Sequence, residues 1–439
     1  MNIIRYPQKS EWNQLLERPT LNLSALYEKV RAILNEVKQD GDKALLKFEA
    51  QFDHVQLDSL RVKQTEMEQA AQNLPDELKN AIQSALVNIR TFHEAQRPAP
   101  IRIETAPGVV CEQHCVPIEK VGLYIPGGSA PLFSTVLMLA APARTAGCKH
   151  IVLCTPPDSS GHINDAILYA AGLTGIDHIY KVGGAQAIAA MAYGTESITK
   201  VDKIFGPGNQ FVMAAKQWVS LEDVAIDMPA GPSEVEVVAD ETARPDFVAA
   251  DLLSQAEHGP DSQVLLVTTC ADLIPQVVNE INRQAALLPR RAIAEKALQN
   301  SKLILVNNLT EAIELTNEYA PEHLIIQTRT PRDIAAQITH AGSVFLGPYS
   351  PESAGDYASG TNHTLPTKGY AKSYSGLGLD SFLRKITFQE LSAKGLQQLG
   401  PTIERMAKAE QLMAHSRAVS IRLKALSTPS AEPETNASR

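Results

Sequence analysis

The chain has 439 residues, 44% of them hydrophobic and 20% charged, a composition for a globular protein of two or three domains. Its formal charge of −9 argues against a nucleic-acid partner, because phosphate contacts need a basic face and Arg290-Arg291 is a helix-side pair rather than a patch. The N-terminal MNIIRYPQKSEW carries charges where a secretory signal has an apolar core, and no run approaches the ~18 apolar residues of a membrane span. A cytoplasmic, non-membrane protein is the expectation, with Cys111, Cys115, Cys148, Cys154 and Cys270 as reduced thiols. Cys111 and Cys115 fall in a segment expected to be extended, without a second pair, which makes a zinc role for them a minor alternative.

Residues 23–100 read as helices. LSALYEKVRAILNEVKQDG has apolar residues at helical spacing and stops at Gly41, and LPDELKNAIQSALVNIRTFHEAQ opens on a Pro-Asp start signal. From about 119, short β runs alternate with amphipathic helices: KVGLYIPGG, STVLMLAAPARTAG, HIVLCTPP, NDAILYAAGLTG, IYKVGG, AQAIAAMAYG, KIFGPG and NQFVMAAKQWVS. A second series runs through SEVEVVAD, a helix over 245–257, QVLLVTT, one long helix over 271–300, LILVNN, a helix over 310–320, LIIQT, IAAQITHAG and SVFLGP. Two such series imply two doubly wound parallel sheets. After about 380 the pattern is helical again through TIERMAKAEQLMAH. AVSIRLKAL, with Val419, Ile421 and Leu423 alternating, reads as a strand, and the polar tail after 427 is expected to be disordered.

Four glycine-rich turns follow β runs: Ile125-Pro126-Gly127-Gly128, Val182-Gly183-Gly184-Ala185-Gln186, Gly206-Pro207-Gly208-Asn209 and Ala230-Gly231-Pro232-Ser233. Three precede helices whose first amides would favour a phosphate, although none matches G-x-G-x-x-G or the P-loop. They are either simple tight turns or a site for a nucleotide or other anionic ligand. Gln255 and His258, three apart at a helix end before Gly259-Pro260, share a face as surface polarity or as half of a metal site. Glu322-His323, before LIIQT, is a surface turn or an acid/base pair. SPESAGDYASGTNH packs Glu352, Asp356 and His363 into what reads as a long functional loop. Glu410 and His415 stand about 140° apart on a continuous helix and share no face, unless the helix ends near Met413 and leaves His415 in a turn.

Taken together, VGLYIPGGSAPLFSTVLMLAAPA, VGGAQAIAA, KIFGPGNQFV, DMPAGPSEV, DLLSQAEHGPDSQ, PEHLI and SPESAGDYASGTNHTLPT closely resemble the histidinol dehydrogenase family over residues 20–425. The resemblance implies two related incomplete Rossmann-type doubly wound units, aldehyde-dehydrogenase-like, with small terminal segments exchanged in a homodimer. It implies an N-terminal segment over 1–19, a zinc and catalytic domain over 20–123 with 234–377, an NAD-binding domain over 124–233 and a C-terminal segment over 378–439. One Zn2+ per subunit is expected on Gln255, His258, Asp356 and His415, with Glu322 and His323 as acid/base pair. Tyr124, Gln186 and Asn209 are expected to contact NAD. Ser233, Glu352, His363 and Glu410 are expected to contact substrate, beside the metal ligands and His323, with Glu410 and His415 lent across the dimer interface. The implied reaction is oxidation of L-histidinol to L-histidine by two NAD+ through a bound aldehyde, the last step of histidine biosynthesis. A zinc hydrolase using Glu322 on metal-bound water, or a non-enzymatic binding protein, would have the same α/β layout but form no NADH.

Overall fold

The computed structural model describes residues 1–19, 24–127, 131–221, 223–229 and 231–427. In chain order, strand β1 (Asn2–Arg5) and helix α1 (Trp12–Leu15) precede α2 (Ser24–Phe52), α3 (Gln64–Asn73) and α4 (Asp76–Glu94). The hairpin β2 (Ile101–Ala106) and β3 (Val109–Pro117) follows, then β4 (Lys120–Tyr124), α5 (Phe133–Ala146), β5 (His150–Thr155), α6 (Asp165–Leu173), β6 (His178–Lys181), α7 (Gly184–Tyr193), β7 (Lys203–Phe205), α8 (Gln210–Ser220) and β8 (Ala225–Ile226). The second series is β9 (Glu234–Ala239), α9 (Pro245–Ala256), β10 (Gln263–Thr268), α10 (Leu273–Ala285), α11 (Arg291–Gln299), β11 (Lys302–Leu305), α12 (Leu309–Tyr319), β12 (His323–Gln327), α13 (Pro331–Ala335), β13 (Ser343–Leu346) and α14 (Glu352–Tyr357). The chain ends in β14 (Leu383–Leu391), α15 (Ala393–Ala409) and α16 (Met413–Ser427).

Two compact units result: Met1–Arg97 with Pro117–Phe382, and Pro98–Val116 with the chain from Leu383 onward. The first holds both parallel sheets the alternation predicts, ordered β6-β5-β4-β7-β8 and β1-β11-β10-β9-β12-β13. Helices cover both faces of the central strands, so β9, β10 and β12 are buried at every residue. Helix α2 breaks at Gly41 (φ 52), where the sequence places a stop, and resumes to Phe52; its apolar face packs with Tyr124, Ala187 and Ile188 in one core. No helix among the described residues is long and apolar enough to cross a membrane.

The second unit contains the three-stranded sheet β14-β3-β2 and the packed pair α15 and α16. Strand β14 lies where helix was expected to resume. AVSIRLKAL is helix rather than strand, and His415 sits inside α16 rather than in a turn. The alternating pattern misled because Val419 and Leu423 are also four apart; both face Gly400 of α15, while Ile421 points to solvent. The expected long helix over 271–300 is two, parted near Pro289, because proline lacks the amide that would continue the ladder. The expected disordered tail and Gly128 and Ala230 of the glycine turns lie outside the described residues.

Candidate functional site

The acid/base candidates stand where two neighbouring parallel strands begin. Ala320 closes α12 in the left-handed region (φ 52), Pro321-Glu322 follow, and His323 is the first residue of β12, paired in register with Val235 of β9. The backbone of Glu234 holds both side chains. Its amide donates to Glu322 Oε2 at 2.8 Å, and its carbonyl accepts from His323 Nδ1 at 3.1 Å. That bond places the proton of a neutral ring on Nδ1 and leaves Nε2, 3.5 Å from Asp356 Oδ1, as the basic nitrogen.

Burial and charge set the protonation of this group. Burial pushes Glu322 up to about 8 and holds Glu352 well above the usual carboxylate range. Burial opposes the charge on His323, but Glu352, Glu322 and Asp356 outweigh it and raise the ring well above its ordinary value. Burial also works against ionised Asp356, yet His323, His363 and His258 draw it below the usual range. Three carboxyl groups around one imidazole are a setting that a cation balances.

Helix α9 ends at Ala256, so His258 lies beyond the C-cap residue Glu257 and does not share a helix face with Gln255. A turn joins them instead, with the His258 amide donating to the Gln255 carbonyl at 3.2 Å. The Gln255 side chain is 1% exposed, and neither its Oε1 nor its Nε2 has a hydrogen-bond partner. A buried amide left unpaired costs about 1–3 kcal/mol, which a ligand bond removes. His258, Glu352 and Asp356 offer donor atoms that all lie within 4.8 Å of one another. Glu352 and Asp356 converge because residues 352–357 form α14 instead of the irregular loop their composition predicts, which puts them one turn apart on one face. Glu352 was expected among the substrate contacts and here also belongs to the group whose donor atoms could hold a metal ion. Its Oε1 and His323 Nε2 are likewise buried without a hydrogen bond. Nitrogen and oxygen donors of this kind fit a divalent ion of the zinc type.

His363 borders the same group, with Nδ1 2.9 Å from the Asp356 carbonyl and Nε2 3.2 Å from Thr135 Oγ1 on α5. Ser233 directly precedes Glu234 at the start of β9, so the fourth glycine turn leads into an amino-terminal strand end, unlike the other three. Glu410 and His415 belong to the second unit, where Glu410 caps α15 and His415 is exposed on α16.

At the carboxyl ends of β4, β6 and β7 lies a cleft of about 340 Å³, lined by Tyr124, Gly127, Gln186 and Asn209, with Phe52, the last residue of α2, and Asp53 on one wall. Tyr124 Oη accepts the Gly184 amide at 3.0 Å, Gln186 donates to buried Glu49 at 3.1 Å, and Asn209 Oδ1 caps α8 through the amides of Phe211 and Val212. Gly206 (φ 125) admits no side chain, since a Cβ would lie 2.1 Å from the Tyr124 carbonyl oxygen. Its turn is pinned by Asp227, which accepts the Gly206 amide at 2.8 Å and pairs with buried Lys216 at 2.5 Å. Sequence reasoning overlooked Arg18, Glu49, Asp53 and Glu234. Two acidic residues inside the apolar run of β9 were the available signal for Glu234.

The histidinol dehydrogenase family model matches residues 16–423. Histidinol dehydrogenase from Bacteroides thetaiotaomicron is 62% identical over 426 residues, 97% of this chain and 100% of that one. The Vibrio vulnificus protein of the same name is 54% identical over 435 residues, 98% of this chain and 100% of its own. A solved structure of histidinol dehydrogenase from Elizabethkingia anophelis has a TM-score of 0.95 and 55% identity, covering 98% of this chain and 99% of that one. With matches spanning both parallel sheets and every residue of the polar cluster, the chain belongs to the histidinol dehydrogenase family of oxidoreductases.

Proposed function

We propose that the chain oxidises L-histidinol to L-histidine, the last step of histidine biosynthesis, with zinc bound at Gln255, His258 and Asp356 and two NAD+ consumed through a bound aldehyde. The observation that carries this reading is the unpartnered, buried amide of Gln255, three residues before the His258 of a His258–Glu352–Asp356 cluster that borders His323. Bound zinc would orient the imidazole and amino nitrogens of the substrate rather than activate water. NAD+, in the cleft of Tyr124, Gln186 and Asn209, supplies the hydride acceptor. Residues 124–233, with the wall that follows α2, form the cofactor-binding part on this reading.

His323 Nε2 would take the alcohol proton once a bound cation offsets the carboxyl groups that otherwise hold the ring charged, while the bond from Nδ1 to the Glu234 carbonyl keeps the ring in the required tautomer. Glu322, anchored by the Glu234 amide and lifted to about 8, exchanges a proton near neutral pH and activates the water that hydrates the aldehyde. Ser233, His363 and Glu352 line the substrate's place.

Glu410 and His415 complete the site of the other subunit in a homodimer, His415 as the fourth zinc ligand. The second unit leaves Ile101, Ile103, Phe388, Met406, Met413 and Ile421 exposed, apolar side chains that suit a subunit interface. Five free cysteines suit the reducing cytoplasm. The purified protein should form two NADH per L-histidinol, contain one zinc per subunit and lose turnover on chelation. Zinc-dependent cleavage of an ester or amide, with no NADH formed from L-histidinol, would replace this reading with the hydrolase.

A further inference from the structure

Strand β9 is covered on both faces, yet its first and third residues are Glu234 and Glu236. The Glu234 carboxylate is held by an arginine from near the N-terminus, 216 residues away. Arg18 donates from Nε and Nη2 to its two oxygens at 2.6 and 2.9 Å, and the Lys368 amide donates to Oε1 at 2.8 Å. The same guanidinium lies 4.0 Å from the centroid of the Tyr319 ring and donates to the Tyr319 carbonyl at 2.7 Å. Arg18 therefore ties the start of β9 to the end of α12, where the left-handed Ala320 turns the chain into Glu322 and His323. A non-glycine residue in that region is strained and persists only where its surroundings dictate it. The other end of the tie is Glu234, whose amide and carbonyl set the positions of Glu322 and His323.

We infer that Arg18 is a positioning residue for the reaction: its two-pronged grip on Glu234 and its bond to Tyr319 fix the spacing between the peptide that orients the acid/base pair and the turn that delivers it. The inference rests on the reading of Glu322 and His323 as that pair. A buried ion pair adds little net stability, because desolvation offsets the attraction, so its effect belongs to geometry. A lysine has one point charge and cannot span both carboxylate oxygens and the carbonyl together.

Arg18→Met alone strands a buried carboxylate and endangers folding, so the decisive variant is Arg18→Met with Glu234→Gln, which removes both charges. Steady-state kinetics with L-histidinol and NAD+ are measured beside thermal unfolding and zinc content. The folded, zinc-loaded double variant should lose roughly 10- to 100-fold in kcat while both KM values stay within about twofold, because displacement of a reacting group slows chemistry more than binding. Wild-type kcat in that folded variant overturns the inference, and so does a loss expressed in KM alone. His323→Asn is assayed alongside. If it keeps wild-type turnover, the acid/base reading fails; if it alone loses turnover, only the role of Arg18 does.

Discussion

The two parallel sheets gather their candidate site residues at opposite ends. In the five-stranded sheet the cleft opens at the carboxyl ends of the strands, where glycine turns lead into helix N-termini and the lining carries little charge. In the six-stranded sheet the polar residues gather at the amino ends of β9 and β12, joined by the end of α9 and by α14. The difference follows from what each end supplies. Carboxyl ends offer backbone amides to a cofactor rich in phosphate oxygens. The amino ends here receive α9 and α12 at their C-termini, whose turns carry Gln255 and His258 on one side and Glu322 and His323 on the other. His363 of the polar cluster contacts Thr135 of α5, the helix that follows β4 of the five-stranded sheet.

If chemistry belongs to the amino-end cluster and cofactor placement to the carboxyl-end cleft, changes at the two should separate cleanly. His323→Asn is expected to have the largest effect, a loss of about 10²- to 10⁴-fold in turnover, with zinc content and NADH affinity kept. Rapid kinetics, metal analysis and NADH titration read the three quantities; weakened NADH binding would break the division. Next comes His258→Asn, which should empty the metal site on purification and reduce kcat/KM for L-histidinol, again without moving NADH affinity. A full complement of zinc in that variant would remove His258 from the ligand set. Glu322→Gln follows, with oxidation of added histidinaldehyde slowed more than oxidation of the alcohol, since only the second step needs the hydrate. Equal slowing of both steps assigns the water to another base.

Much of this division was legible in the sequence, and its gaps have specific causes. Alternation gave both sheets because strands buried on both faces need continuous apolar runs, and β10 and β12 have them. Gly206 declared its turn because no side chain fits there. Helix α14 stayed hidden because SPESAGDY holds proline, glycine and serine, residues that favour turns until packing overrides them. Convergence of His258 with Asp356, about a hundred positions apart, is tertiary, and only the family resemblance pointed to it. Arg18 had no local signal at all, since its partner lies 216 residues away. The reading of α16 as a strand failed because a short run with apolar residues at every second position satisfies both periods.

At the cofactor end the expected effects are smaller. Gln186→Ala removes a cleft side chain and its bond to Glu49, and should raise KM for NAD+ roughly tenfold with kcat nearly unchanged, as loss of uniform binding requires. A fall in kcat of the same size would move Gln186 into the chemistry and blur the two ends. The smallest effect is on stability. Glu49 is fully buried, accepts from Gln186 and from the Gly183 amide at 3.3 Å, and has its second oxygen unpaired. Burial raises it from 4.5 to about 8, so between those values the folded chain holds a proton that the unfolded chain has released. Its favourable contribution is complete below 4.5 and is lost as pH climbs through about 8. Glu49→Gln cannot titrate yet still accepts both bonds, so its unfolding temperature should decline less steeply than wild type between those pH values. Buried Glu236 and Glu322 are raised to about 8 as well, so the slope flattens only in part. A variant whose unfolding temperature tracks wild type at every pH would mean that Glu49 is ionised in the folded chain throughout, with a negative charge fixed behind the cofactor cleft.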